Sequence, residues 1–425
     1  MRIVEYPAAE AWKELLKRPV IDASHLEAKV QEILNTIEAE GDRAIKRFTK
    51  EFDKVELGHL TVSEEEFKQA EMQVSSELKK AIDVARINIE KFHLTQREEV
   101  KKTETTPGVV CWRKSVPIER VGLYIPGGTA PLFSTILMLG IPANIAGCEQ
   151  IVLCTPPDKN GSIHPAILYT ANLLGIRQVY KVGGVQAIGA MAYGTETIPQ
   201  VYKIFGPGNQ YVTTAKQLVT RKGVAIDMPA GPSEVAVVAD ATANPSFVAA
   251  DLLSQAEHGV DSQVLLVSDD KDFIHKLDIE LQRQLDELPR KELAARALEN
   301  SKAILVKDME TGMQMINEYA PEHLILQVKE PEKLAVKVKN AGSVFLGYYT
   351  PESAGDYASG TNHTLPTNGY ARAYSGVSLD SFVKKITFQQ ISKEGLQQLG
   401  PVVELMAEAE ALIAHKKAVS YRLNS

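Results

Sequence analysis

Apolar residues recur along the chain with two different periods, and the change between them falls near residue 109. Between residues 26 and 52, Leu26, Val30, Ile33, Leu34 and Ile37 are spaced by one, three and four positions among Glu, Lys and Ala. That spacing stacks side chains on one face of a helix. Residues 63–95 have the same texture, so the pattern predicts an N-terminal helical region over 1–120 that leads into the body of the chain. Beyond Val109 short β-branched runs take over: VGLYI from residue 121, IVLC at 151–154, VYKV at 179–182, VYKIF at 201–205 and EVAVVA at 234–239. Helix-like segments at 164–174 and 209–221 separate them. Strands that alternate with helices imply βαβ units and a parallel sheet.

A second series follows, with VLLV at 264–267, AILV at 303–306, LILQV at 324–328 and GSVFLG at 342–347. The expected fold class is therefore α/β, with one unit over 121–233, a second over 234–375 and a C-terminal helical segment over 376–425. Residues 121–148 carry no charge, yet Pro126, Gly127, Gly128, Pro131, Pro142 and Asn144 interrupt them. Such breaks would leave backbone groups unpaired in lipid, so this stretch reads as a buried strand, loop and helix.

Composition narrows the picture. A chain of 425 residues exceeds one ordinary core and suggests two or three domains. A formal net charge of −7 argues against nucleic acid or an acidic membrane as partner, since both need clustered Lys and Arg. The three cysteines, Cys111, Cys148 and Cys154, form no CxxC pair, which argues against a disulfide framework or thiolate zinc finger and fits a reducing compartment. The start, MRIVEYPAAEAWKELL, lacks an apolar core, so a cytoplasmic location is expected.

Four loops of the first unit are rich in glycine: YIPGGTAP at 124–131, VGGVQAIG at 182–189, IFGPGNQYV at 204–212 and MPAGPSEV at 228–235. Each follows a strand-like run, at the edge of an open sheet where ligands usually bind. Glycine admits a phosphate close to the backbone, and helix N-termini offer N–H groups to it. None of these loops is GxGxxG, so a nucleotide site and tight structural turns both remain open at this point.

Among the nine histidines, His25, His59, His93, His164 and His275 sit in polar helix or loop contexts and read as surface or structural. The others keep different company. Gln255 and His258 are three apart at a helix end and share a face; the competing reading is a helix C-terminus stopped by Gly259. Asp356 and His363 lie in GDYASGTNHTLPT, and His415 lies in the last helical stretch. Imidazole and carboxylate suit zinc or a similar divalent ion. In YAPEHLIL, Pro321 ends a helical run over 308–319 and LILQV starts a strand, which places Glu322 and His323 in the turn. There they are either a general acid/base pair or two polar residues at a strand entrance.

Taken together these stretches resemble one family, the histidinol dehydrogenases. The resemblance runs through ERVGLYIPGG (119–128), VGGVQAIGAMAYGT (182–195), FGPGNQYV (205–212), AGPSEV (230–235), LSQAEHG (253–259), APEHL (320–324), GDYASGTNHTLPT (355–367) and AHKKAVSYR (414–422), and covers most of the chain after residue 110. It implies two Rossmann-like parallel-sheet domains with smaller helical N- and C-terminal parts, and a homodimer with active sites shared between subunits. The implied activity converts L-histidinol to L-histidine by way of L-histidinaldehyde in two NAD-dependent oxidations, with one zinc per site. Carried over, the zinc ligands are Gln255, His258, Asp356 and His415, the last from the partner subunit. Substrate contacts are those four with Ser233, His323 and Glu410. NAD contacts are Tyr124, Gln186 and Asn209, and His363 is structural support.

The resemblance also assigns the catalytic roles, with His323 moving the alcohol's proton and Glu322 activating water for the aldehyde. An imidazole near neutrality and a carboxylate suit those tasks. Glu410 and His415 are five apart, which on an ideal helix separates them by about 140°, so both reach one substrate only where the helix is irregular. Two alternatives are a paralogue that oxidises another amino or sulfonated alcohol and a non-catalytic, metal-stabilised dimer.

Overall fold

The computed structural model describes residues 1–18, 24–127, 130–229 and 231–425, with the side chains of Ser24 and His25 also outside the description. Gly128 of the first glycine-rich loop and Ala230 of the fourth thus lie outside the described residues. Strands β1 (Arg2–Glu5), β2 (Lys102–Thr106) and β3 (Val109–Pro117) precede the parallel units. Then come β4 (Arg120–Tyr124), β5 (Gln150–Thr155), β6 (Gln178–Lys181), β7 (Lys203–Phe205) and β8 (Ala225–Ile226). A third group holds β9 (Glu234–Ala239), β10 (Gln263–Ser268), β11 (Lys302–Leu305), β12 (His323–Gln327) and β13 (Ser343–Leu346), and β14 (Val383–Ile391) follows.

The class is α/β, as expected. One sheet has the order β6-β5-β4-β7-β8 and the other β1-β11-β10-β9-β12-β13, all parallel. Residues of β9 and β10 are buried throughout. That is why EVAVVA reads as a continuous apolar run: helices cover both faces of a parallel sheet. In each sheet the chain first builds to one side and then reverses, between β4 and β7 in one and between β9 and β12 in the other. These reversals open crevices beside the strand ends.

The N-terminal helices, Ser24–Glu40 and Asp42–Phe52, serve the first unit: Val30, Leu34, Ile37 and Ile45 share a core with Val185, Ile188 and Met191. Approach is close enough that a Cβ on Gly189 would lie 3.0 Å from Ile37 and 3.1 Å from Leu34. Helix Met309–Tyr319 is started by the Asp308 carboxylate, which accepts from the Thr311 N–H, and stopped by Ala320 at φ 53°.

Three features differ from the sequence expectation. β1 lies in the region expected to be helical and forms the edge of the second sheet, beside β11; four residues with a charge at each end show no period. β2, β3 and β14 make a separate antiparallel sheet in the order β14-β3-β2, so neither terminal part is wholly helical. Most of β2 and β14 is exposed, and a strand with no buried face leaves no alternation to read. Finally, His323 is not in the turn but opens β12, paired with Val235 and Ser343. Among the described residues no helix is long and apolar enough to cross a membrane.

Gly206, at φ 124°, begins the turn after β7. Its N–H donates to Asp227 Oδ2 at 2.8 Å and its C=O accepts from Lys216 Nζ at 2.8 Å, while Lys216 and Asp227 form a buried ion pair. A Cβ here would run into the carbonyl of Tyr124. Gly206→Ala is therefore expected to cost about 2 kcal/mol or more from backbone strain and the clash, read as a melting temperature several degrees lower.

Candidate functional site

Glu322 and His323 lie at the amino end of β12, beside the amino end of β9. The Glu322 Oε2 accepts from the Glu234 N–H at 2.8 Å, and His323 Nδ1 donates to the Glu234 carbonyl at 3.2 Å. With Nδ1 committed as a donor, Nε2 is the nitrogen left to exchange protons. It has no hydrogen-bond partner and stands 3.5 Å from Asp356 Oδ1. Nδ1 is also 3.7 Å from Glu322 Oε2 and 3.7 Å from Glu352 Oε1.

Burial pushes the Glu322 carboxyl up to about 7, against the lowering effect of His323. Burial also carries Glu352 up to about 8 and Asp251 up to about 6. For His323 burial works against the charged form, but Glu352, Glu322 and Asp356 outweigh it and raise its pKa to about 10. Asp356 goes the other way: despite its burial, His323 holds it below the usual carboxylate range. The site is thus a buried group of carboxylates around one imidazole, an arrangement that favours a cation.

Gln255 supports that reading of the electrostatics. It lies fully buried on helix Pro245–Ala256, and both its Oε1 and Nε2 lack partners. Leaving such an amide unpaired is costly, and a ligand for it would remove the cost. Asp356, on helix Glu352–Tyr357, likewise has Oδ1 buried without a hydrogen-bond partner. His323, Glu352 and Asp356 offer donor atoms within 4.8 Å of one another, and Asp356 also feels the charge of His258. His363 donates from Nδ1 to the Asp356 carbonyl at 2.8 Å and accepts from Thr135 Oγ1 at 3.2 Å. It therefore braces the backbone that carries Asp356.

A cavity of about 250 Å³ takes in Ser233, His258, Glu322 and His363 with Asn209 and Gly206. It lies between the carboxyl ends of β7 and β8 and the amino ends of β9, β10 and β12. A larger cleft of about 960 Å³ adjoins it through Asn209 and is lined by Tyr124, Gln186, Asp53, Pro156 and Gly184. Tyr124 ends β4, and its hydroxyl accepts from the Gly184 N–H at 3.1 Å. Asn209 caps helix Gln210–Val219, with Oδ1 accepting from the Tyr211 and Val212 N–H groups. The three residues expected to contact a dinucleotide thus share one cleft.

Glu410 and His415 are not brought to this site within one chain. Helix Lys393–Ala409 ends before Glu410, Ala411 takes a left-handed φ of 57°, and a new helix runs over Ile413–Leu423. Both side chains are exposed, and neither lines the two cavities. Their 140° problem disappears, because Glu410 caps the end of one helix and His415 lies on the next. Sequence reasoning missed Glu352 and Glu234. Glu352 is four residues before Asp356, a helical spacing that could have flagged it; for Glu234 the sequence carries no such signal.

A family model described as histidinol dehydrogenase matches residues 16–423. The histidinol dehydrogenase of Bacteroides thetaiotaomicron is 62% identical over 425 residues, covering 100% of this chain and 99% of its own. That of Yersinia pestis is 50% identical over 419 residues, covering 98% and 94%. The crystal structure of histidinol dehydrogenase from Elizabethkingia anophelis matches with a TM-score of 0.98 at 58% identity, covering 100% of this chain and 98% of that one.

The electrostatics can be tested in metal-free protein. The His323 imidazolium should keep its proton through neutrality and titrate near pH 10. Glu352→Gln removes the largest attractive charge, so the midpoint, followed by NMR, should fall by about one unit or more. An unchanged midpoint would show that Glu352 does not act on this ring.

Proposed function

The chain belongs to the histidinol dehydrogenase family, and from that premise we propose that it oxidises L-histidinol to L-histidine in two NAD-dependent steps by way of L-histidinaldehyde. The observation that carries this reading is the buried Glu322–His323 pair, whose Glu322 lines a small cavity that shares Asn209 with a cleft of about 960 Å³. In the first step His323 Nε2 receives the substrate's hydroxyl proton as hydride leaves for NAD. In the second, Glu322 draws a proton from the water that adds to the aldehyde, and the resulting gem-diol gives its hydride to a second NAD. A carboxyl whose pKa sits at about 7 is placed to give and take protons near neutrality.

Gln255, His258 and Asp356 would hold a zinc ion, with His415 of a second copy completing the set. The unpartnered atoms of Gln255 and Asp356 fit that role. When bound, zinc would engage the Asp356 carboxylate, relieve part of the field that keeps His323 protonated, and act as a template for the substrate's imidazole and amine. Tyr124, Gln186 and Asn209 would hold NAD. Ser233 and Glu410 would contact substrate, Glu410 again from the second copy.

A homodimer with shared sites is supported by the C-terminal helices, which expose Leu405, Met406 and Tyr421 at 69%, 61% and 71% in the single chain. Large apolar side chains gathered on two helices call for a covering surface. A cytoplasmic site of action fits the three free cysteines.

Purified protein given L-histidinol and NAD should form two NADH per histidinol, lose activity to a zinc chelator and regain it with zinc. Release of the aldehyde after one NADH would overturn the proposal. His323→Asn should lower kcat by about 10²–10⁴ with the protein still folded, as expected for loss of a general base.

A further inference from the structure

Arg18 and Glu234 have no role in the reaction as described, yet between them they fix the backbone on which Glu322 and His323 rest. Glu234 opens β9 with only 2% of its side chain exposed, and a buried carboxylate is costly unless paired and hydrogen-bonded. Both of its oxygens are engaged. Oε1 accepts from Arg18 Nε at 2.5 Å and from the Asn368 N–H at 2.6 Å, and Oε2 accepts from Arg18 Nη2 at 2.7 Å. This is the two-pronged arginine–carboxylate geometry that fixes orientation as well as charge.

The same guanidinium reaches the turn that leads into β12. Nη2 donates to the Tyr319 carbonyl at 2.7 Å and to the Ala320 carbonyl at 3.4 Å, and the group lies 4.1 Å over the Tyr319 ring. One side chain therefore ties the first residue of β9 to the residues just before Glu322. On its backbone side, Glu234 gives its N–H to Glu322 and its carbonyl to His323.

We propose that the Arg18–Glu234 ion pair is the positioning element of the Glu322–His323 pair; this rests on the acid/base reading of that pair given above. Arg18 holds residue 234 and the 319–320 turn at a fixed separation. The Glu322 carboxylate and the His323 ring then meet the reacting carbon in one geometry. Without Arg18, a buried Glu234 carboxylate is left uncompensated beside Glu322 and must turn away, moving the backbone groups that hold the pair. Neither Arg18 nor Glu234 lines the cavity that contains Ser233, His258 and Glu322; Arg18 lines a neighbouring cleft of about 560 Å³ instead.

The test is steady-state kinetics with L-histidinol and saturating NAD on zinc-loaded parent, Arg18→Met, Arg18→Lys and the double variant Arg18→Met with Glu234→Gln. Circular dichroism and zinc content establish that each is folded and loaded. Arg18→Met should lower kcat about 10- to 100-fold, the scale for small misplacements of reacting groups, with KM within about threefold. Arg18→Lys should recover part of the loss, because an ammonium keeps the charge but cannot serve the carboxylate and the turn together. The double variant removes the uncompensated charge and should recover at least about threefold of kcat over Arg18→Met, a non-additivity that a merely structural pair would not show in kcat. Folded Arg18→Met with kcat within about twofold of an active parent would overturn the inference alone. A parent that forms no NADH from L-histidinol would instead overturn the functional reading and this inference with it. If Arg18→Met does not fold, Arg18→Lys decides: an unchanged kcat overturns the proposal, and a lowered kcat at unchanged KM upholds it.

Discussion

Parallel pairing of β12 with β9 is the constraint on which the site depends. The register sets His323 beside Val235, so the backbone of Glu234 lies just outside the ladder at the amino end of β9. There its N–H and carbonyl bond the Glu322 carboxylate and the His323 ring. One residue's slip would turn His323 to the other face of the sheet, away from Glu352 and Asp356. Ser233, just before β9, lines the cavity at the same edge.

The pairing also gives the two sheets opposite parts. The first presents the carboxyl ends of β4, β5, β6 and β7, where Tyr124, Pro156, Gly184 and Asn209 line the larger cleft. This is the usual ligand-binding edge of an open parallel sheet. The second presents its amino ends to the smaller cavity. Joining a carboxyl edge to an amino edge puts the larger cleft next to the cavity that Glu322 lines, without a GxGxxG turn.

Burial then sets the chemistry. Glu322, Glu352 and Asp356 stand within 3.7 Å of His323, and burial pushes Glu322 and Glu352 toward holding protons. Such a cluster is a cost to folding, and its field would favour a positive ion placed among the carboxylates. The buried amide of Gln255, without hydrogen-bond partners, adds to that cost.

The buried parallel strands were legible because each is covered on both faces and so spells an unbroken apolar run; β9 and β10 are the clearest cases. The amphipathic N-terminal helices and the glycine-rich turns were legible for similar local reasons. Strands β2 and β14 were not, since their exposed side chains leave no periodic trace, and the short β1 depends wholly on its neighbour β11. Glu322 and His323 could be located by sequence, and the resemblance assigned their roles, but adjacency in the chain says nothing of which groups surround them. Partners for the pair come from residues 234, 352 and 356, and the Arg18 tie comes from more than three hundred residues upstream of the turn it holds. Local pattern determined the elements, because burial imposes a period on each segment separately. Tertiary structure alone decided which carboxylates share one imidazole, because that depends on how the strands are ordered in the sheet.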